Sequence, residues 1–211
     1  MKFVSLISSG IDSPVATYLL SKKSEEMILI HGDIRPFTDD REIGNFTRLT
    51  NHLKKISSSS IKTYITIHGE SLKAFKQNCN NRYICIFCKR MLLRYAEKIA
   101  EKEGADAIIM GDSLGQVASQ TLRNIKVIDQ SVKIPILRPL IGFDKEDIVR
   151  IAKEIGTYDL SILPSTPCSA VPDKPVTQAK LDKILDEESK INIENLVKKA
   201  VETSQLISLK I

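Results

Sequence analysis

Short apolar runs of strand type alternate with helix-like stretches through the first half of the chain. The strand-like runs are Lys2–Ile7, Met27–His31, Ile61–Ile67 and Ala107–Met110, and the helix-like stretches are Pro14–Lys23, Glu42–Ile56, Ser71–Lys76 and Lys89–Glu103. Such alternation is typical of a parallel sheet that carries helices on both faces. The sequence therefore predicts an α/β fold with a doubly wound parallel sheet. Ligands of such sheets bind beyond the carboxyl ends of the strands.

A loop of small residues follows the first strand-like run and leads into a helix. The loop consists of Ser8, Ser9, Gly10, Ile11, Asp12 and Ser13. The free N–H groups and the dipole of a helix N-terminus make such a junction a phosphate site, although the same residues fit a plain strand–helix turn. The Gly-Lys-Ser/Thr ending of the Walker loop is absent. The loop instead resembles the SGGxDS loop of the pyrophosphate-loop ATPases, which cleave ATP to AMP and pyrophosphate, with Ser9 in place of the first glycine.

Length and composition bound the class of protein. A chain of 211 residues with a net charge of +5 can form one domain, or one domain with a small appendage, and it permits a nucleic-acid partner without requiring one. No apolar run has membrane-spanning length and no signal-peptide pattern opens the sequence, so we expect a cytoplasmic protein without a membrane partner. We expect a catalytic domain at residues 1–175 and, packed on it, a helical tail at residues 176–211, with helices at Val176–Glu188 and Glu194–Glu202.

Polar and glycine residues follow the second and fourth strand-like runs. His31 and Gly32 begin a turn-rich segment whose backbone could face an adenine ring, although an ordinary loop is the simpler interpretation. Gly111 frees the backbone after the fourth run, and Asp112 or Ser113 can cap a following helix. Asp112 could also orient magnesium. The sequence thus predicts a second loop at the same edge of the sheet.

A further helix is predicted to begin after Asp144, which is a suitable N-cap residue. Its first residue is then Lys145, and a cation at a helix start opposes the preference of the helix dipole. Lys145 therefore indicates that an anion lies nearby.

Four cysteines are too few and too unevenly spaced for a secreted disulfide framework, and they indicate a metal, cluster or redox set in a reducing compartment. Cys85 and Cys88 alone fit a redox pair, a zinc half-site or a cluster half-site. Cys168, in a proline-rich segment, favours a cluster, because three thiolates can hold three irons of a cubane and leave the fourth iron open. Zinc usually takes a fourth protein ligand, for which Cys79 is the candidate.

Basic residues recur at four-residue spacing on one face of the helix that follows the cysteine pair. These residues are Arg90, Arg94 and Lys98, with Lys89 beside them. A solvated helix face is the simple interpretation. Beside a catalytic site, the same residues could bind RNA phosphates.

Four stretches together resemble the tRNA 4-thiouridine synthetases. They are Cys88–Met91, Gly111–Thr121, Leu137–Lys145 and Ile155–Tyr158. The string Ser-Leu-Gly-Gln-Val-Ala-Ser-Gln-Thr at residues 113–121 is long enough to be highly specific. The resemblance covers the whole chain as the C-terminal pyrophosphate-loop domain of that family. The family's ferredoxin-like, THUMP and rhodanese domains have no counterpart in these residues.

The resemblance implies that ATP activates a tRNA uridine at O4 and that sulfur is then delivered to C4. It places Asp12 and Lys145 at positions needed for activity, adds Gln116 to the ATP site, and places Cys168 where some members have a sulfur-carrying cysteine. Cys85, Cys88 and Cys168 look like the three-cysteine set of archaeal relatives, which bind an iron–sulfur cluster (4Fe-4S or 3Fe-4S). The implied cofactors are ATP, Mg²⁺ and this cluster. The implied partners are tRNA, a sulfur donor and a separate THUMP-type RNA-binding subunit, with a homodimer left open.

Two other functions stay open at this point. One is the same chemistry on a free nucleobase or another small molecule, in the direction of thiolation or desulfuration. The other is a non-catalytic partner that binds a cluster or RNA. Intact Asp12, Ser13 and Lys145, together with all three cysteines of the cluster set, count against the non-catalytic alternative, whereas Ser9 in place of glycine favours it.

Overall fold

Six strands form one sheet in the computed structural model, which describes residues 1–207. The strands are β1 (Lys2–Leu6), β2 (Glu26–Asp33), β3 (Ser60–Ile67), β4 (Ala107–Ile109), β5 (Ile136–Leu137) and β6 (Gln205–Leu206). Their order in the sheet is β5-β4-β1-β2-β3-β6, and every neighbouring pair is parallel except β3 and β6. The prediction of an α/β fold with a doubly wound, mostly parallel sheet is confirmed.

Helices cover both faces of this sheet. They are α1 (Asp12–Ser21), α2 (Arg41–Ile56), α3 (Gly69–Asn78), α4 (Ile84–Glu103), α5 (Leu122–Asp129), α6 (Lys145–Glu154), α7 (Tyr158–Ser161), α8 (Leu181–Glu188) and α9 (Ile193–Glu202). Successive strand residues point to opposite faces, so each strand contributes to two hydrophobic cores. Val4 and Ile28 pack with residues of α3, α4 and α9, whereas Phe3 and Met27 pack with residues of α1, α2 and α6.

The longest helix, α4, begins at Ile84 rather than at Lys89 as the sequence analysis predicts. A single 3-10 turn at Asn81–Tyr83 leads directly into it, and the side chain of Asn80 accepts a hydrogen bond from the backbone N–H of Arg82 in that turn. The cysteine pair therefore lies within the first turns of α4 and not in a loop. None of the helices within residues 1–207, α4 included, is long and apolar enough to span a bilayer.

The helix predicted at Val176–Glu188 begins only at Leu181. The preceding residues, 174–179, form an irregular segment with bends, which we call the strap. The Val176 N–H donates to the Arg82 carbonyl at 3.1 Å, and the Ala179 N–H donates to Asn124 Oδ1 at 2.8 Å. Because these N–H groups bond to distant partners, they are not available to a helix. The domain division at residue 175 stays a prediction, and part of the predicted tail, residues 208–211, lies outside the described residues.

Candidate functional site

A cavity of about 390 Å³ opens where β1, β2 and β4 end, at the carboxyl edge of the sheet. Its wall includes these residues of the predicted ATP site: Ser8, Gly10, Ile11, Asp12, Ser13, His31, Gly32, Gly111 and Asp112. It also includes residues that the sequence analysis did not assign to a nucleotide: Glu42, Lys89, Ser119 and Gln120. The predicted residues Ser9, Ser113 and Gln116 are not part of this wall.

The loop after β1 leaves the N-terminus of α1 open to the cavity. Ile11 occupies the N-cap position, and no side-chain hydrogen bond caps this end among the described residues. The Ser8 N–H donates to Ser13 Oγ at 2.9 Å, which folds the loop back onto the start of the helix. Uncapped N–H groups at the positive end of a helix dipole suit a phosphate group.

Gly111 follows β4 and packs against the first turn of α1. A Cβ atom at this position would lie 2.6 Å from the Cα atom of Ser13 and 2.7 Å from its nitrogen. Gly111 does not have a positive φ, so backbone freedom is not the reason for glycine here. Glycine is required because two backbones approach each other closely, and this contact fixes the loop of residues 8–13, which we call the phosphate loop, against the sheet.

Lys145, the first residue of α6, reaches the start of α1. Its Nζ donates to Asp12 Oδ1 at 2.5 Å, and the lysine side chain is 49% exposed. An ion pair with this exposure is weak in water, so it can exchange partners at little cost. The structure thus brings together the two residues predicted to be needed for activity.

Ser9 does not line the cavity itself but binds a carboxylate of α2 that does. Its Oγ donates to Glu42 Oε2 at 2.7 Å, and Glu42 lines the cavity. The cavity wall therefore carries two carboxylates, those of Asp12 and Glu42. Oxygen ligands of this kind suit magnesium, which usually takes one or two carboxylates together with substrate phosphates and water.

Asp112 is buried in the cavity wall between two cations. Its carboxylate accepts from Lys89 Nζ at 2.6 Å and from Arg138 Nε at 3.1 Å. Burial acts to raise the pKa of Asp112, but the two cations outweigh burial and hold this pKa below its ordinary value. The predicted capping role of Asp112 or Ser113 is wrong, because the following helix is capped by Thr121, whose Oγ1 accepts from the Asn124 N–H at 3.3 Å.

Two glutamines in the 113–121 string have different surroundings. Gln120 is buried, its Nε2 donates to Asp112 Oδ1 at 3.4 Å, and its Oε1 has no partner among the described residues. Gln116 is exposed, and Ser113 Oγ donates to the Phe143 carbonyl at 2.8 Å. The sequence of residues 113–121 indicated that this loop is part of the site, but it did not show which glutamine lines the cavity. Burial in the structure identifies Gln120.

His31 is buried at the end of β2 beside the cavity. Burial lowers its pKa, so the ring is neutral near pH 7. Because Nδ1 lies 3.1 Å from the Ile7 carbonyl oxygen, Nδ1 carries the proton and Nε2 is the acceptor, which has no partner among the described residues. The next residue, Gly32, is in close contact with α4, since a Cβ there would lie 2.5 Å from Leu92 Cδ2.

Cys85 and Cys168 lie close enough to the thiol of Cys88 to affect its pKa. Burial, together with Cys85 and Cys168, raises the pKa of Cys88 to about 12, and burial together with Cys168 raises the pKa of Cys85. His68, which the sequence analysis did not assign to this site, places Nε2 at 3.1 Å from Cys88 Sγ. In residues 1–207, however, no three or more His, Cys, Asp or Glu side chains are arranged to hold a metal ion.

Cys79 lies apart from these thiols. Its Sγ donates to the Glu187 carbonyl of α8 at 3.2 Å, and burial raises its pKa to about 11. The sequence analysis names Cys79 as the fourth ligand of a zinc site. The structure does not place it with the other three cysteines, because α8 covers it.

The predicted RNA-binding face of α4 is wrong for two of its arginines. Arg90 is 1% exposed, and its Nε and Nη2 donate to the Glu188 carboxylate at 2.8 and 2.9 Å. Arg94 binds the same carboxylate through two donors at 2.8 Å. Lys89 is held in the cavity wall, and Lys98 is exposed and paired with a glutamate one turn along the helix. The arginines bind α8 rather than solvent because the tail helices pack on this face.

The fold and the open helix N-terminus define a class of protein, an α/β domain with the fold of the pyrophosphate-loop ATPases. The likeness extends to the NMN synthetase from Francisella tularensis, with a TM-score of 0.59 at 15% identity over 95% of this chain and 83% of that one. At this identity the likeness shows the fold alone.

A sequence profile for the family described as "Thiamine biosynthesis protein (ThiI)" matches residues 1–193, and the chain belongs to this family. It is 39% identical to a probable tRNA sulfurtransferase of Methanosarcina mazei, over 99% of this chain and 52% of that protein. It is 42% identical to a probable tRNA sulfurtransferase of Methanothermobacter thermautotrophicus, over 93% of this chain and 51% of that protein. The chain thus spans about half the length of these relatives.

A solved structure described as a 4-thiouridine synthetase–RNA complex with bound ATP is also similar. It superposes with a TM-score of 0.93 at 33% identity, over 98% of this chain and 54% of that one. The resemblance to the tRNA 4-thiouridine synthetases is therefore confirmed.

Proposed function

We propose that this chain is the ATP-using domain of a tRNA sulfurtransferase, which activates a uridine with ATP and replaces its O4 with sulfur. The observation that carries the proposal is the uncapped N-terminus of α1 in a cavity of about 390 Å³, with the Asp12–Lys145 pair beside it. Relatives named tRNA sulfurtransferase, and an ATP-bound 4-thiouridine synthetase of the same fold, support this assignment.

In the first step, uridine O4 attacks the α-phosphorus of ATP. A P–O bond forms, the bond from the α-phosphorus to the bridging oxygen breaks, pyrophosphate leaves with the electron pair, and the N3 proton passes to solvent. The N–H groups at the start of α1 and the ammonium of Lys145 stabilise the growing charge on pyrophosphate. A single donor aimed at such charge contributes about 2.7–4 kcal/mol to catalysis. Asp12 and Glu42 would hold Mg²⁺, which neutralises phosphate charge when it is bound.

In the second step, hydrosulfide from the sulfur donor attacks C4: a C–S bond forms, the C4–O4 bond breaks, AMP leaves with the former O4 and the electron pair, and the sulfur proton passes to N3. We assign the handling of sulfur to Cys85, Cys88 and Cys168, since the first and the last lie close enough to the Cys88 thiol to affect its pKa and Cys88 lies one residue before Lys89 of the cavity wall. A thiolate set of this kind suits an iron–sulfur cluster, and we propose that these cysteines hold one. In residues 1–207 the thiols are not arranged as a metal site, so the proposal of a cluster rests on the chemistry of the three cysteines.

The first test is the fate of labelled ATP in the presence of unmodified tRNA. The full chain should convert ATP to AMP and pyrophosphate and should form 4-thiouridine when a sulfur donor is supplied. Gln120→Ala should raise the KM for ATP, because Gln120 is buried in the cavity wall, whereas Gln116→Ala should behave as the wild type. Release of ADP and phosphate alone would overturn the proposal.

The second test is the iron and sulfide content of protein purified without oxygen. Alanine variants of Cys85, Cys88 or Cys168 should each lose most of the iron and all transfer of sulfur, and they should still release pyrophosphate. Cys79→Ala is the matched control, because this thiol faces Glu187 of α8. An equal loss of iron in Cys79→Ala would contradict the three-cysteine assignment.

The partners of the whole protein are part of the proposal. We infer that tRNA is the acceptor, because the structurally similar synthetase was solved with RNA. A THUMP-type RNA-binding subunit, a separate sulfur donor and a homodimer stay predictions. Co-purification with tRNA and size determination in solution test them.

A further inference from the structure

We propose that four cations beside the cavity form a phosphate-binding belt for the RNA backbone; the belt consists of Lys76, Arg82, Arg123 and Lys174. This inference rests on the proposed function, because it assigns a surface to the RNA acceptor. It replaces the face of α4, whose arginines are bound to Glu188.

The strap brings together three of these cations, Arg82, Arg123 and Lys174, from three separate parts of the chain. Arg82, which lies between α3 and α4, donates from Nε to the Lys174 carbonyl at 3.1 Å. Asn124 Nδ2 donates to the Val176 carbonyl at 2.7 Å, and Arg123 Nη1 donates to Gln178 Oε1 at 3.0 Å, both at the start of α5. The strap therefore links Arg82 to Arg123.

The belt lies beside both parts of the proposed active site. Arg82 precedes Cys85 by one helical turn, and Arg123 follows the loop whose residue Gln120 lines the nucleotide cavity. Lys76 Nζ lies 5.4 Å from the ring centre of Phe37. The Phe37 carbonyl accepts from the N–H of the residue after Cys168 at 2.8 Å. An RNA backbone on the belt would thus pass the cysteines and the cavity together.

The four cations of the belt are exposed to solvent and can contact an anion. All four side chains belong to exposed residues, and within residues 1–207 none of them forms a salt bridge. Asp173 is the exposed carboxylate next to the strap, so the balance of these five groups is strongly positive.

The two arginines are also oriented for phosphate. Each uses one guanidinium nitrogen to bind the strap, which fixes the plane of the group. The remaining N–H groups of each guanidinium have no partner among the described residues and can form the two parallel hydrogen bonds that phosphate prefers. Four exposed cations without salt bridges among the described residues fit a sugar–phosphate backbone, because phosphates dominate the hydrogen bonds and the charge of such a ligand.

The test is a salt titration of tRNA binding by the full chain, with Lys76→Gln and Lys174→Gln combined. These two side chains make no hydrogen bond among the described residues, so the variant should fold normally, which thermal unfolding checks. Each lost phosphate contact lowers the log–log salt slope by about 0.7–0.9, so the double variant should lose about 1.5 and bind at least tenfold more weakly. Asp173→Asn should bind on the order of twofold more tightly, because it removes a nearby repulsion.

The matched control combines Lys23→Gln with Lys55→Gln, which removes two exposed lysines near the ends of α1 and α2, at the opposite edge of the sheet. Its salt slope should equal that of the wild type. An unchanged slope in Lys76→Gln/Lys174→Gln, equal losses in both double variants, or no tRNA binding by the wild type would each overturn the belt. Pyrophosphate release from ATP is measured separately, so its absence in the wild type refutes the proposed function while the salt slope still decides the belt.

Discussion

Two ion pairs of this protein differ in burial, and this difference decides whether the cation of each pair can bind a ligand. The pair of Arg90 with Glu188 is buried, and Arg94 and the Val127 carbonyl complete its hydrogen bonds. The pair of Lys145 with Asp12 lies beside the cavity, with the lysine side chain 49% exposed. In both cases the sequence analysis assigned the cation to an anionic ligand. In the structure only Lys145 has the freedom to bind one.

The difference teaches that the exposure of a cation, rather than its spacing, decides what it can bind. A guanidinium that already shares a buried carboxylate would have to leave that charge unpaired in order to bind RNA, which costs several kcal/mol. An exposed ammonium exchanges one oxygen ligand for another at little cost. The buried pair should therefore govern stability and the exposed pair should govern activity.

The largest expected effect is the loss of the buried carboxylate. Glu188→Ala leaves Arg90 buried without its partner and should lower the free energy of unfolding by about 3–5 kcal/mol. Denaturant unfolding measures this change. Glu202→Ala is the control, because Glu202 forms an exposed pair with Lys198 at 3.9 Å; it should cost at most about 0.5 kcal/mol. Equal losses of unfolding free energy in the two variants would show that the buried pair stabilises the fold no more than the exposed pair does.

The exposed pair should show the opposite pattern. Lys145→Ala should slow the release of pyrophosphate about 100-fold or more, because it removes a charge from the leaving group. Its free energy of unfolding should change by no more than about 0.5 kcal/mol. Lys153→Ala, an exposed lysine in the last turn of the same helix, should keep the wild-type rate. A stable fold with undiminished turnover in Lys145→Ala would remove this residue from catalysis.

A smaller effect is expected where α1 meets β4. Gly111→Ala would force a Cβ to within 2.6 Å of Ser13 Cα and should move the phosphate loop. Overpacking of this kind costs about 1–3 kcal/mol, so we expect ATP to bind about tenfold more weakly. Gly142→Ala meets nothing within 4 Å and should bind ATP normally. Nucleotide titration separates the two variants, and identical affinities would contradict the close-packing role of Gly111.

The smallest expected effect is on the pH dependence of stability. Burial acts to raise the pKa of Glu188, but Arg90 and Arg94 hold it below the ordinary value of a glutamate. The folded state therefore gains stability from this carboxylate above about pH 4.3, and loses it as the pH falls through the lowered pKa. The midpoint of denaturant unfolding should fall more steeply on acidification in the wild type than in Glu188→Gln. Parallel curves would mean that Glu188 does not carry this dependence.

The sequence predicts the structural elements that depend mainly on residues adjacent in the chain. The four longer strands were predicted to within two residues of each end, because an apolar run between turns is a local signal. Strands β5 and β6 were missed, since two residues leave no periodic pattern. The start of α4 was missed as well, because Cys-Ile-Phe-Cys carries no capping residue.

The parts of the site that depend on distant residues could not be predicted. The partner of Arg90 lies 98 residues away in the chain, and the two cations that bind Asp112 come from α4 and from the segment after β5. The loop around Asp12 was found because glycine and serine after a strand indicate an anion site by themselves. Glu42 was missed because its link to the loop runs through a hydroxyl group that stands where glycine was expected.

The antiparallel pairing of β6 with β3 has a consequence for how the chain is made. Before Gln205 and Leu206 leave the ribosome, the outer edge of β3 presents unpaired N–H and C=O groups to any extended chain nearby. The rest of the sheet is complete by Leu137, so this edge stays open while the α8 and α9 region is synthesised. Aggregation during synthesis should therefore begin at β3, and β6 later covers the middle of this edge, where it pairs with Tyr64 and Ile65.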